Sequence, residues 1–157
     1  MKKIWQLIIS LAMPQLAGLI GSLFTAPSIN NWYATLNRPV IAPPNWIFAP
    51  VWTALFLLMG LAVYLVWSKG FKSRGVKPAL IVFSCQLVLN VFWSVLFFGL
   101  HSPLWALMEI ILLWLMILWT SVLFFKVFKL AGWLLLPYIL WVSLAAILNY
   151  QFLILNF

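Results

Sequence analysis

The chain has 157 residues, 67% hydrophobic and only 6% charged, with a net charge of +8 and a mean hydropathy of +1.16. A soluble domain carries about 25% charged residues, so this composition cannot clothe a water-facing surface. Nor does the positive charge point to nucleic acid, because the basic residues fall in short clusters between apolar runs and form no face for a phosphate backbone to follow.

A membrane-crossing helix needs about 20 mainly apolar residues. Five stretches qualify: 4–24, 45–67, 78–99, 104–125 and 132–155. The first follows Met1-Lys2-Lys3, as the core of a signal peptide would. Its apolar run is too long for that, and Phe24-Thr25-Ala26 puts a bulky residue where a cleavage site needs a small one. An uncleaved first span is expected. Along it Ser10, Pro14, Gly18 and Ser22 recur every four residues, a stripe that lets a neighbouring backbone approach.

Residues 25–44 form the first loop. From Asn30 to Trp52 the chain holds four of its nine prolines, with Trp32, Tyr33, Trp46 and Trp52 among them. Proline fixes φ and reduces the entropy lost on ordering. A rigid aromatic segment is expected here, either a plain interfacial anchor or a lid over a pocket.

In the second span Trp52 and Phe56 sit one turn apart. SKGFKSRGVKP (68–78) separates it from the third, in which Gln86, Asn90 and Ser94 recur every four residues and share a face. Cys85, the single cysteine, has no intrachain partner and reads as a small packing residue. HSP (101–103) is a tight turn. Glu109, the only acid, lies in span four, where protonation, a helix–helix hydrogen bond, or pairing with Arg38 or His101 would satisfy it. After KVFKLAG (126–132), span five places Pro137, Trp141, Ala145 and Asn149 at the same spacing, flanked by Tyr138 and Tyr150.

If these faces converge, they enclose an aromatic-walled cavity with a few amides and hydroxyls, which suits a flat apolar small molecule. Hydrogen bonding between helices without a ligand is the other reading. The chain is short of parts for enzyme chemistry. It has no carboxylate pair, no Cys/His cluster and no glycine-rich phosphate loop, so neither a metal nor a resident cofactor is expected. None of the apolar runs alternates as barrel strands do. The fold class is an all-α membrane protein, a five-transmembrane-helix bundle forming a single domain.

WYATLNRP, PPNWIFAPVWTALFLLMG, QLVLNVFWSVLFFGLHSPLWALMEI and LLPYILWVSLAAILNY, with eleven tryptophans in all, resemble the translocator-protein family in order and spacing. Its members are also called tryptophan-rich sensory proteins or peripheral-type benzodiazepine receptors. The resemblance covers about Gly18 to Tyr150. It implies a five-helix bundle, often a homodimer, that binds porphyrins and isoquinoline- or benzodiazepine-type ligands between helices under the first loop. Porphyrin is then a ligand and not a cofactor. Carried over by motif, the pocket residues are Trp32, Tyr33, Trp52, Asn90, Ser94, Trp141, Ala145 and Asn149. Tyr33 and Trp141 match positions linked to porphyrin photochemistry and are the candidate catalytic residues. Glu109 matches an acidic position of the fourth helix.

At the rim, Arg38 would pair with a propionate carboxylate or with a lipid headgroup. Val40-Ile41-Ala42 lacks an aromatic common in the family, and LNYQFLILNF lacks the basic residue that completes the sterol pattern of animal members. Three functions follow from the resemblance: sensing, sequestering or moving porphyrin; light-driven porphyrin breakdown; and transport of lipids or small molecules.

Five spans put the termini on opposite sides. Eight of the nine basic residues lie at the N-terminus and in the loops after spans two and four, and Arg38 alone lies on the other side. By the positive-inside rule the N-terminus is cytoplasmic and the first loop and C-terminus face outward, in a bacterial plasma membrane. A reporter active only in the periplasm should therefore work when fused after Phe157 and fail when inserted beside Arg74. The opposite pattern would reverse the topology.

Overall fold

In hydrocarbon a backbone N–H or C=O without an internal partner costs several kcal/mol, so each long apolar stretch closes its own hydrogen bonds as a helix. A computed structural model describes residues 2–157, without the side chain of Lys2, so that residue's part in the charge bias lies outside the description. The elements are α1 (Lys2–Ile29), a 3-10 turn (Tyr33–Thr35), α2 (Asn45–Trp67), α3 (Val76–Ser94), a π turn (Val95–Gly99), α4 (Pro103–Val127), α5 (Lys129–Leu134) and α6 (Leu136–Asn156). The five expected spans all appear as helices long and apolar enough to cross a membrane, α3 together with the π turn and α5 together with α6 counting as one span each.

Helix ends differ from the sequence reading where proline and side-chain hydrogen bonds decide them. α1 runs through Pro27 to Ile29, so the loop begins at Asn30 and not at 25. There the Thr25 hydroxyl donates to the Gly21 carbonyl (3.2 Å) and the Asn31 amide to the Pro27 carbonyl (2.8 Å). The second bond satisfies a carbonyl at the helix end whose usual donor, the Asn31 N–H, turns to Ser28 instead. The last span breaks at Leu135, because Pro137 has no N–H to carry the helix across. α3 ends in the π turn, where Leu100 N–H reaches back to the Val95 carbonyl at 2.8 Å. His101 follows with φ 50°, a left-handed conformation uncommon outside glycine, and turns the chain into α4.

The helices form a ring. α1 packs on α2 and α3, α3 along α4, and α4 along α6, while α5 closes the ring against α2. A tight crossing holds α1 to α2: a Cβ on Gly60 would stand 2.8 Å from the backbone of both Ser10 and Leu11. The small-residue stripe of α1 does not stay on this face. Four helical residues turn about 400°, so a row at that spacing drifts by about 40° per step. Ser10 and Pro14 are buried, but Ser22 has rotated out and is exposed.

α2 and the last span meet at one end of the bundle only. At that end, Lys69 Nζ of the 68–75 loop stands 4.5 Å from the Phe128 ring centre. Toward the proline-rich loop α6 leaves α2, and aromatic side chains fill the widening gap.

Candidate functional site

The gap between α2 and α6 is built by five rings. Trp52 stacks on Phe56 (centroids 5.4 Å apart, 28° between planes) and meets Tyr138 edge to face at 6.2 Å. One turn earlier on α2, Phe48 meets Trp141 of α6 at 5.7 Å and 67°. Phe56 is fixed from behind, because Gly18 of α1 leaves room for its ring.

The floor of the gap is polar. Tyr138 is 1% exposed, and its hydroxyl sits between two side chains of α3, accepting from Asn90 Nδ2 at 2.9 Å and donating to Gln86 Oε1 at 2.8 Å. Two donors have no partner among the described residues: Gln86 Nε2, of the relay itself, and the indole N–H of Trp141, one turn along α6 from Tyr138. A buried donor left unpaired costs about 1–3 kcal/mol. A molecule offering acceptors at this place would recover that cost.

The other expected site residues divide. Trp52, Asn90 and Trp141 line this compartment or its floor, and Ala145 lies half-buried against the same core. Ser94 faces α1 instead, where a Cβ on Gly21 would lie 3.2 Å from its hydroxyl. Asn149 ties three helices together. It accepts from Trp93 Nε1 of α3 at 3.1 Å and donates to the Pro103 carbonyl of α4 at 2.8 Å. The drift of 40° per step explains both positions: each row begins toward the gap and ends facing another helix.

The loop is fastened down on the same end. Tyr33 is buried between Phe98 and Phe152 (5.7 and 5.2 Å), and Trp32 stacks on His101 at 4.5 Å. Burial pushes the Tyr33 phenol up, with Arg38 pulling the other way. Asn37 and Asn156 clasp each other, Asn37 N–H donating at 2.7 Å and Asn156 Nδ2 returning to the Asn37 carbonyl at 3.2 Å. Ser28 donates to the Phe98 carbonyl at 2.6 Å and lies 3.3 Å from His101 Nε2. Arg38 is exposed, donates to the Pro43 carbonyl (2.9 Å) and lies over the Tyr33 ring. Tyr33 and Trp141 belong to separate packing clusters, with Phe48 between them.

Glu109 forms none of the pairs expected of it. The residue is 8% exposed, its carboxyl oxygens are buried and neither has a partner among the described residues, while Arg38 and His101 are engaged in the loop. The expected set also omits the wall ring Phe48 and the relay residues Gln86 and Tyr138. Gln86 shares the row of Asn90, and Tyr138 flanks Trp141, so their signals were present in the pattern. Two surface depressions lie elsewhere. One is an open apolar groove of about 500 Å³ between α1 and α3, the other, of about 440 Å³, lies beside His101 and Phe157.

Fold and site together define a five-span helical membrane protein with a compartment packed with aromatic rings between α2 and α6 and a loop fastened at the end where α6 finishes. Sequence comparison places the chain in a family. Residues 10–155 match the TspO/MBR family, and the chain belongs to it. It is 43% identical over 155 residues to the tryptophan-rich protein TspO of Chlorobaculum tepidum, covering 99% of this chain and 98% of that one. The translocator protein of Bos taurus is 38% identical over 141 residues, 88% of this chain and 83% of its own. The tryptophan-rich sensory protein of Cereibacter sphaeroides is 35% identical over 127 residues, 81% and 78% of the two chains.

Removing the Tyr138 hydroxyl should show what the relay holds. Tyr138→Phe leaves Asn90 Nδ2 and Gln86 Oε1 without partners and should cost about 1–2 kcal/mol, seen as an earlier thermal transition in detergent. An unchanged transition would mean that the relay does not bind α6 to α3.

Proposed function

We propose that this integral membrane protein binds a porphyrin in the compartment between α2, α3 and α6, and senses, sequesters or moves it. The observation that carries this reading is the pairing of aromatic walls with unsatisfied donors. Trp52, Phe48, Tyr138 and Trp141 offer ring faces to a flat apolar molecule. Gln86 Nε2 and Trp141 Nε1 offer hydrogen bonds to its acceptors. The names of the relatives, sensory and translocator proteins, agree with a role in recognising or moving a ligand.

Isoquinoline- and benzodiazepine-type compounds, flat and carrying acceptor atoms, fit the same compartment. Tyr33 and Arg38 act at the loop: the first anchors it, and the second is exposed where a propionate would emerge. The protein sits in a bacterial plasma membrane with its N-terminus cytoplasmic, and it works as a homodimer.

Titration with metal-free protoporphyrin, followed by quenching of tryptophan fluorescence, tests the site. Trp52→Ala should weaken binding by about tenfold, the loss of roughly 1.4 kcal/mol of ring contact. Asn90→Leu should weaken it by about fivefold, near the worth of one hydrogen bond inside a membrane. Affinity unchanged in both variants would place the ligand elsewhere.

A further inference from the structure

The fold gathers most of the chain's cations at one end. The connection between α2 and α3, residues 68–75, carries Lys69, Lys72 and Arg74, and Lys77 follows in the first turn of α3. The junction between α4 and α5 carries Lys126 and Lys129 on either side of Phe128. These clusters are far apart in the sequence, but in the fold they touch at two points. Lys69 Nζ lies 4.5 Å from the centre of the Phe128 ring, and a Cβ on Gly75 would stand 3.3 Å from Val127 Cγ2. Two basic segments therefore form one patch.

All six of these side chains are exposed. The one acid cannot serve them, because Glu109 is buried in α4 seventeen residues before Lys126, about 25 Å along the helix. Helix dipoles do not account for the arrangement either. Lys126 lies in the last turn of α4, where a cation is favoured, but Lys77 lies in the first turn of α3, where it is disfavoured. Nor is the loop free to spread its charges. Gly70 and Gly75 both take φ 86°, and Ser73 donates its N–H to the Gly70 carbonyl at 3.0 Å and its hydroxyl to the Lys69 carbonyl at 2.7 Å. Like charges are held together without a counter-charge, and an anion brought among them relieves their repulsion.

The level of the patch and its border identify the anion. Each of the six residues lies between two spans or within two residues of a span end. That is where hydrocarbon gives way to headgroups. Exposed apolar side chains border the charges: Phe71 in the loop, and Leu130 and Trp133 just past the junction. The Phe71 ring stands 6.0 Å from that of Trp67 at the end of α2, and Trp133 meets Phe125 edge to face at 5.3 Å. Such rings suit acyl chains and add nothing for a soluble anion. We propose that the 68–75 loop and the α4–α5 junction form a seat for an anionic phospholipid. Its phosphate and charged headgroup lie among Lys69, Lys126 and Lys129 beside the Phe128 ring, within reach of Lys72 and Arg74. Its acyl chains run along Phe71, Leu130 and Trp133. The lipid joins two connections that are separate in the backbone and so braces the end where α5 meets α2.

The probes are phosphatidylglycerol and phosphatidylcholine with the same brominated acyl chains, added to the purified full chain in an uncharged detergent. Bromine quenches tryptophan fluorescence, and Trp67 and Trp133 stand at the seat. Phosphatidylglycerol should reach half its quenching at about tenfold lower concentration than phosphatidylcholine, an advantage that should fade as salt rises toward about 1 M. Neither readout needs a variant. Trp133→Phe should remove most of the excess quenching by phosphatidylglycerol. Lys69→Gln combined with Lys126→Gln and Lys129→Gln, which changes only exposed side chains, should bring the two lipids to parity and leave quenching by phosphatidylcholine as in the wild type. Glycerol phosphate, a headgroup without chains, should not displace the lipid. Equal quenching by the two lipids overturns the inference, as does a preference that survives high salt or the triple variant, or an excess that Trp133→Phe leaves intact. Displacement by glycerol phosphate at concentrations comparable to the lipid's overturns it too, and marks the patch as a site for free phosphates.

Discussion

The Tyr138 hydroxyl sets the distance between α6 and α3. It lies deep in a bundle where water is scarce, accepting from Asn90 and donating to Gln86. Neither amide has an equivalent partner nearby, so the bond geometry leaves α6 little freedom to slide toward α2. α5, one turn before Tyr138 in the same span, touches α2. Beyond these contacts α2 and α6 make few backbone contacts, and rings rather than backbones fill the space between them. The compartment is thus a consequence of one buried phenol and one helix break at Leu135 beside Pro137.

The loop lies at the end where α6 finishes, and it is anchored by different physics. Apolar burial of Tyr33 between Phe98 and Phe152 draws it inward. The Asn37–Asn156 clasp and the Ser28 bond to the Phe98 carbonyl then fix its register against α6 and the π turn. Prolines at 39, 43 and 44 reduce the entropy that this ordering must overcome. Val40, Ile41 and Trp46 remain exposed, as suits a loop whose outer surface faces the membrane interface.

Much of the fold was legible in the sequence, since hydropathy and length alone locate five spans and their loops. α2 begins and ends where the apolar run does. The helix extension through Pro27 was not legible, because a proline after an apolar run reads as a helix stop, and the Asn31 side chain that caps the Pro27 carbonyl lies beyond the run. For the site, the period-four rows pointed at the right helices but to one face each, and real rows drift. Asn90 and Trp141 stay beside the gap, while Ser94 and Asn149 turn to neighbouring helices. Pairing of Trp93 with Asn149 and of Trp114 with Ser143 could not be read from spacing within one helix, since each joins two helices.

Those pairings give the tryptophans distinct states, and this makes the central claim measurable residue by residue. Trp93 and Trp114 have bonded indole N–H groups, Trp141 has a buried unpaired one, and Trp5, Trp105 and Trp119 lie on the outer surface. The most direct measurement is the two-dimensional proton–nitrogen NMR spectrum of the indole groups in micelles, with and without metal-free protoporphyrin. The account predicts the largest displacements at Trp141 and Trp52, which border the compartment, with Trp5, Trp105 and Trp119 unmoved. Largest displacements at Trp5, Trp105 or Trp119, with Trp52 and Trp141 still, would contradict it.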